Sequence, residues 1–102
     1  MAQAPDTRRG PYYVSASKGL KFCIMLGPFE HHADALAWVD SARDKAESLD
    51  PQAFWWAWGT LRLKDSAIVK PGSLNRHMPT APLWSIEHAQ HAAATSALEA
   101  AL

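Results

Sequence analysis

Two prolines, Pro28 and Pro51, constrain the fold more than any other feature, because each falls where a regular element must stop or bend. Pro28 has no amide hydrogen to give to a sheet, so the run before it is expected to end at Gly27-Pro28. The residue before a proline avoids helical backbone angles, so Asp50-Pro51 is expected to terminate whatever precedes it. Upstream of the first break, Tyr12, Tyr13 and Val14 open a β-favouring stretch, and Ser17-Lys18-Gly19 supplies turn chemistry. Leu20, Phe22, Ile24 and Leu26 then alternate with Lys21, Cys23 and Met25, the period of a half-buried strand, which predicts a hairpin. Between the breaks the period changes. Leu36, Val39, Ala42, Ala46 and Leu49 recur at helical steps, which predicts one helix over about 31–49 with Asp34 in its first turn. After Pro51, the run Ala53–Lys64 alternates again and predicts a strand, with Gly59 marking a bulge or a close approach. A short further strand is expected at Ala67-Ile68-Val69, and the Ala-rich tail from Leu83 predicts a last helix.

These elements predict an α+β fold: a small antiparallel sheet in the order β-β-α-β, one helix packed on a face, and an appended Ala-rich C-terminal helix. The expected division is a flexible arm over 1–10, an α+β domain over 11–76, and a loop with the C-terminal helix over 77–102. A chain of 102 residues suits a single core. Its 48% apolar and 20% charged content excludes a largely disordered polymer. One cysteine, Cys23, excludes an intrachain disulfide scaffold. The longest apolar stretch, Phe22–Phe29, falls well short of the roughly 20 residues a bilayer-spanning helix needs. Arg8-Arg9 is not followed by the apolar region of an export signal, so a cytoplasmic protein without membrane contact is expected.

Ten basic and ten acidic residues cancel, which argues against a generic polyanion binder, but the charges are segregated. Asp34, Asp40, Asp44, Glu47 and Asp50 make the expected helix acidic. Lys18, Lys21, Arg62, Lys64, Lys70 and Arg76 make the strands and the following loop basic. Two binding surfaces follow. An aromatic strand surface of Phe54, Trp56, Trp58, Arg62 and Lys64 suits a protein partner, since exposed aromatics and arginine dominate interface energetics. The acidic face of Asp40, Asp44 and Glu47 suits a basic partner. A homodimer that buries two aromatic sheet faces against each other is a further possibility. Alternatively, Tyr13, Lys21, Trp56, Trp58, Arg62 and Lys64 would form a sheet face that stacks bases and holds the phosphates of single-stranded nucleic acid.

Chemistry is less evident. The chain has no Gly-rich phosphate loop, no G-x-S-x-G turn and no H-E-x-x-H zinc motif. His31-His32-Asp34 and Glu87-His88 with His91 are the ligand-like clusters, each too small for a structural zinc site. The expectation is a non-enzymatic protein with no metal and no cofactor.

Tyr13-Val14-Ser15, Met25-Leu26-Gly27-Pro28-Phe29 with His32 and Ala35-Leu36, Ala57-Trp58-Gly59-Thr60, and Pro71-Gly72-Ser73-Leu74-Asn75 together resemble a group of small proteins carried by bacteriophages, plasmids and integrative elements. That resemblance spans roughly residues 12–75. It implies a mobile-element origin, with roles such as inhibiting a host defence or regulating element maintenance. The passage from Leu26-Gly27-Pro28-Phe29 into a helix at His31 also resembles the peptidoglycan-binding sporulation-related repeat domain. That domain acts outside the cytoplasm.

Overall fold

The computed structural model describes residues 4–64 and 67–101, with side chains through residue 95. Strands β1 (Tyr12–Lys18) and β2 (Lys21–Phe29) form a hairpin around Gly19-Leu20. Helices α1 (His32–Ala37) and α2 (Val39–Leu49) follow, then a 3-10 segment, Pro51–Trp55, and strand β3 (Ala57–Arg62). A second 3-10 turn, Asn75–His77, precedes helix α3 (Ile86–Ala101). The sheet order is β2-β1-β3, antiparallel throughout. The molecule is thus a small α+β domain with a three-stranded antiparallel sheet and packed helices.

The two sheet faces are covered differently. Cross-strand partners share a face, so Tyr12, Val14 and Ala16 of β1 line up with Phe29, Leu26 and Cys23 of β2 and with Arg62, Thr60 and Trp58 of β3. Ala35 of α1 and Ala42 and Ala46 of α2 pack on this face and close the main core. Small side chains at these positions let the helices lie close to the sheet. On the opposite face, Tyr13 is fully buried and its hydroxyl donates to the Lys70 carbonyl at 2.6 Å. A smaller cluster of Val69, Ala89 and Ala93, with Leu63 and Trp84 against it, docks α3 at that end. The end of this face bearing Phe22 stays exposed.

Several expectations are corrected. The strand expected to stop at Gly27-Pro28 continues to Phe29, because the ladder is irregular there. Between Val14 and Ser15 the partner steps from Leu26 to Ile24, so Met25 is an extra residue that bulges β2. The bulge puts Leu26 on the core face and Ile24 with Phe22 on the other, although simple alternation assigned them together. A second shift between Tyr12 and Val14 accommodates Pro28. Residues 72–74 then pair along the outer edge of β2, with amides of Gly72, Ser73 and Leu74 donating to carbonyls of Gly27, Ile24 and Met25.

The expected single helix is two, broken at Trp38 (φ −101°, ψ 1°), whose amide reaches back three residues to Ala35. The break turns α2 so that Ala42 and Ala46 face the sheet, while Leu49, expected in the same stripe, is exposed. No strand forms at 67–69. The Val69 amide donates to the Gln90 side chain and the Gln90 amide donates to the Ala67 carbonyl, so a side chain of α3 takes the place of a partner strand. The expected flexible arm is tied down over its described part. The Gly10 amide donates to the Glu30 carbonyl, the Asp6 amide to His32, and Arg9 pairs with Glu30 at 2.8 Å. Met1–Gln3 of that arm, and Leu102 of the expected tail, lie outside the described residues.

Burial raises the ionisation of both Tyr12 and Tyr13 above the ordinary 10.0, with the Asp6 carboxylate adding to the effect at Tyr12. Raised values mean that the unfolded chain loses these protons first. Their contribution to stability is therefore complete below about pH 10 and declines as pH rises towards the folded values. The urea midpoint should be level from pH 8 to just under 10 and fall above it. A midpoint unchanged at pH 11 would contradict the burial of these rings.

Candidate protein-docking surface

Asp50 starts the 3-10 segment. Its carboxylate accepts from the Gln52 amide at 3.0 Å, and Pro51 occupies the first turn, where a missing amide hydrogen costs nothing. The segment buries Ala53 and turns Phe54 and Trp55 outward. Phe54 was expected to extend β3; it precedes the strand instead. Trp55 is 81% exposed, and its ring meets Phe54 edge-on, with centroids 4.9 Å apart. Arg43 of α2 fixes Phe54 from the other side. Its guanidinium lies 5.1 Å from the ring centroid, donates to the Phe54 carbonyl at 3.2 Å, and reaches Glu47 at 3.3 Å.

Trp56 and Trp58 behave differently from Trp55. They stack on each other with centroids 6.1 Å apart, and the Trp58 indole donates to the Ala53 carbonyl. Both are half-buried and pack on the main core, on the face that α1 and α2 cover. The face-to-face homodimer through these aromatics is therefore closed off by the protein's own helices. Lys18 lies 3.9 Å above the Trp56 ring.

Two hollows flank the exposed aromatic pair. One, about 520 Å³, is lined by Lys18, Gly19, Gln52, Trp55 and Trp56. The other, about 430 Å³, is lined by Asp40, Arg43, Asp44, Glu47 and Phe54. The aromatic and acidic surfaces expected separately thus meet at Phe54. Asp40 and Asp44 are exposed and Glu47 partly so. Sequence alternation missed Trp55, because it was assigned to a strand face. The available signal was Asp50-Pro51, a cap and first turn that pre-empt a strand.

The residues expected to hold nucleic acid do not come together. Tyr13 is buried on the opposite face under the Lys70 segment and has no ring surface to offer a base. Lys21 is exposed at the start of β2. Arg62 sits at the far end of β3 from Trp56, donating to the Arg9 and Leu63 carbonyls, and Lys64 lies beyond the strand.

One arrangement imitates a catalytic pair. His32 Nε2 lies 2.9 Å from Thr60 Oγ1, with Tyr12 stacked on the imidazole at 5.0 Å. The Asp6 amide donates to Nδ1 at 2.7 Å, so Nδ1 is the acceptor and the proton resides on Nε2. His32 therefore donates to the threonine hydroxyl and cannot take its proton. The Asp6 carboxyl binds Arg8 instead, which holds it well below the usual carboxylate range. The contact joins arm, α1 and β3. Among the described residues no three His, Cys, Asp or Glu side chains converge as metal ligands, and no helix is long and apolar enough to cross a membrane.

Residues of the Met25–Phe29, Ala57–Thr60 and Pro71–Asn75 runs meet at structural joints. The Gly27 amide and carbonyl both bond the Asn75 carboxamide, Gly72 lies against Leu26, and Thr60 meets His32. Comparison of the chain with family models, with curated proteins and with solved structures finds no match.

Proposed function

We propose that this protein acts by binding rather than catalysis, as a protein-interaction module of a mobile genetic element that inhibits or regulates a host system. The observation that supports this most is Trp55, 81% exposed beside a Phe54 that Arg43 holds in place. A large aromatic kept in water by a rigid support loses little conformational freedom on docking, which is the property of interface hot spots. The adjoining Asp40, Asp44 and Glu47 select the partner's chemistry: a protein surface with an apolar anchor flanked by lysine or arginine.

Host proteins captured on the wild type, on Trp55→Ala and on Asp40→Lys/Asp44→Lys test this reading. A cognate partner should lose at least about tenfold in affinity to each variant, while stability falls by no more than roughly 0.5 kcal/mol for Trp55→Ala and about 1–2 kcal/mol for the charge reversal, which puts a lysine in the first turn of α2. Equal binding by all three chains would remove the surface from the proposal. The second reading, single-stranded nucleic acid, draws support from Lys18 above Trp56 next to the exposed Trp55. Oligonucleotide titration should produce no salt-sensitive tryptophan quenching; quenching that weakens as salt rises would favour the second reading.

A further inference from the structure

The two outer edges of the sheet are treated unequally. Along β2, the Gly72–Leu74 segment supplies three amides to the strand's outward carbonyls. Among the described residues no segment donates in this way along β3. The Leu63 amide bonds the Pro11 carbonyl, which fixes the alternation of the β1–β3 ladder. Leu61, Gly59 and Ala57 direct their backbone groups inward to Tyr13, Ser15 and Ser17. Trp58 and Thr60 accordingly direct theirs outward, where they meet no hydrogen-bond partner among the described residues. β3 carries no proline, and its one charge, Arg62, sits at its last position, so the strand's centre has little of the usual protection of an open edge.

We propose that β3 is the pairing edge of a homodimer, joining a second copy of this chain antiparallel about a two-fold axis at Thr60. The strand's own order argues for a second copy. A two-fold at Thr60 gives the longest overlap of outward-facing positions: Thr60 pairs with Thr60, and Trp58 with Arg62 of the second copy. Both side chains fall on the helix-covered face, where the Trp58 indole is already held by the Ala53 carbonyl and the Arg62 guanidinium by the Arg9 and Leu63 carbonyls, so the pairing there is one of backbone groups. On the other face, Leu61 falls opposite Gly59 of the second copy. A Cβ placed on Gly59 meets nothing within 4 Å, so there is open space for that leucine to cover. The polar hollow of about 380 Å³ beside the edge, lined by Arg8, Tyr12, His32, Thr60 and Arg62 among others, lies on the side where Trp58 of the second copy arrives. The sheet becomes six strands, β2-β1-β3-β3-β1-β2, with no bare edge at its centre.

Sedimentation equilibrium of the full chain, from micromolar to near-millimolar concentration, tests the proposal against two variants. Thr60→Pro removes an outward amide that no bond among the described residues uses, and should weaken dimerisation by at least about tenfold, since both central bonds of the junction are lost. Thr60→Val loses the same contact with His32 but keeps the amide, and should dimerise like the wild type. Trp55→Ala should also dimerise normally, which separates this edge from the docking surface. Should Thr60→Pro not fold, amide exchange on the wild type decides: the Trp58 and Thr60 amides should gain protection as concentration rises. A monomer at every concentration, a Thr60→Pro dimer of wild-type strength, or unchanged exchange at those two amides would each overturn it.

Discussion

Replacing Gly27 by alanine should lower the melting temperature by roughly 15 °C or more, combining backbone strain of about 1–3 kcal/mol with overpacking of similar size. Gly27 has φ +143°, a conformation that L side chains rarely adopt. The added Cβ would sit 2.6 Å from the Tyr13 ring and 2.8 Å from the Tyr12 carbonyl oxygen. Neither neighbour can yield easily, since Tyr13 is fully buried and Tyr12 lies in the central strand. Two other glycines serve as controls. Gly19 also has positive φ, +63°, but nothing lies within 4 Å, so Gly19→Ala should cost only about 1 kcal/mol of strain. Gly59 has open space and no positive φ, so Gly59→Ala should be neutral or stabilise by up to ~1 kcal/mol. Thermal melts of the three variants should rank in that order. A Gly27→Ala protein as stable as Gly59→Ala would show that the junction is not as described.

The second large effect is expected at Asn75. Its Oδ1 accepts from the Gly27 amide at 3.0 Å, and its Nδ2 donates to the Gly27 carbonyl. One side chain thus satisfies both backbone groups at the bulge, where β1 cannot reach. Asn75→Ala leaves the buried Gly27 amide without a partner, while the carbonyl keeps the bond from the Gly72 amide. The cost should be about 2–4 kcal/mol, an orphaned donor plus one lost bond. Asn75→Asp keeps the acceptor but loses the donor and places a negative charge against a carbonyl. It should not recover the wild-type melting point at neutral pH. Urea titrations of both variants measure this; a loss under 0.5 kcal/mol for Asn75→Ala would mean that water replaces the carboxamide.

Much of the architecture is legible in the residues themselves. Alternation at Tyr12–Leu26, helical spacing at Leu36–Leu49 and renewed alternation past Pro51 mark the hairpin, the helical segment and the third strand, because local periodicity reports which side chains share a face. What misled was counting faces through irregular points. Met25 bulges and inverts the assignment of Leu26 against Ile24, and Trp38 divides the helix. Both depend on what the segment packs against rather than on its own preferences. The candidate site shows the same limit. Trp56, Trp58 and the acidic Asp40, Asp44 and Glu47 are conspicuous as residues, yet the most exposed aromatic is Trp55, which strand counting placed differently.

The sequence by itself determined the hairpin, the helical segment before Pro51, a strand after it, and the segregation of acidic α2 from the basic strands and loop. These follow from periodicity and the order of charges, both local properties of the chain. Only the tertiary structure decided which sheet face the helices cover, and hence that Trp56 and Trp58 serve the core while Phe54 and Trp55 face water. It also decided that Asn75 and the Gly72–Leu74 segment close the β2 edge of the sheet. Those outcomes rest on hydrogen bonds between residues some 48 apart, as for Gly27 and Asn75. No local pattern encodes such a pairing, because it forms only when the core brings the two segments together.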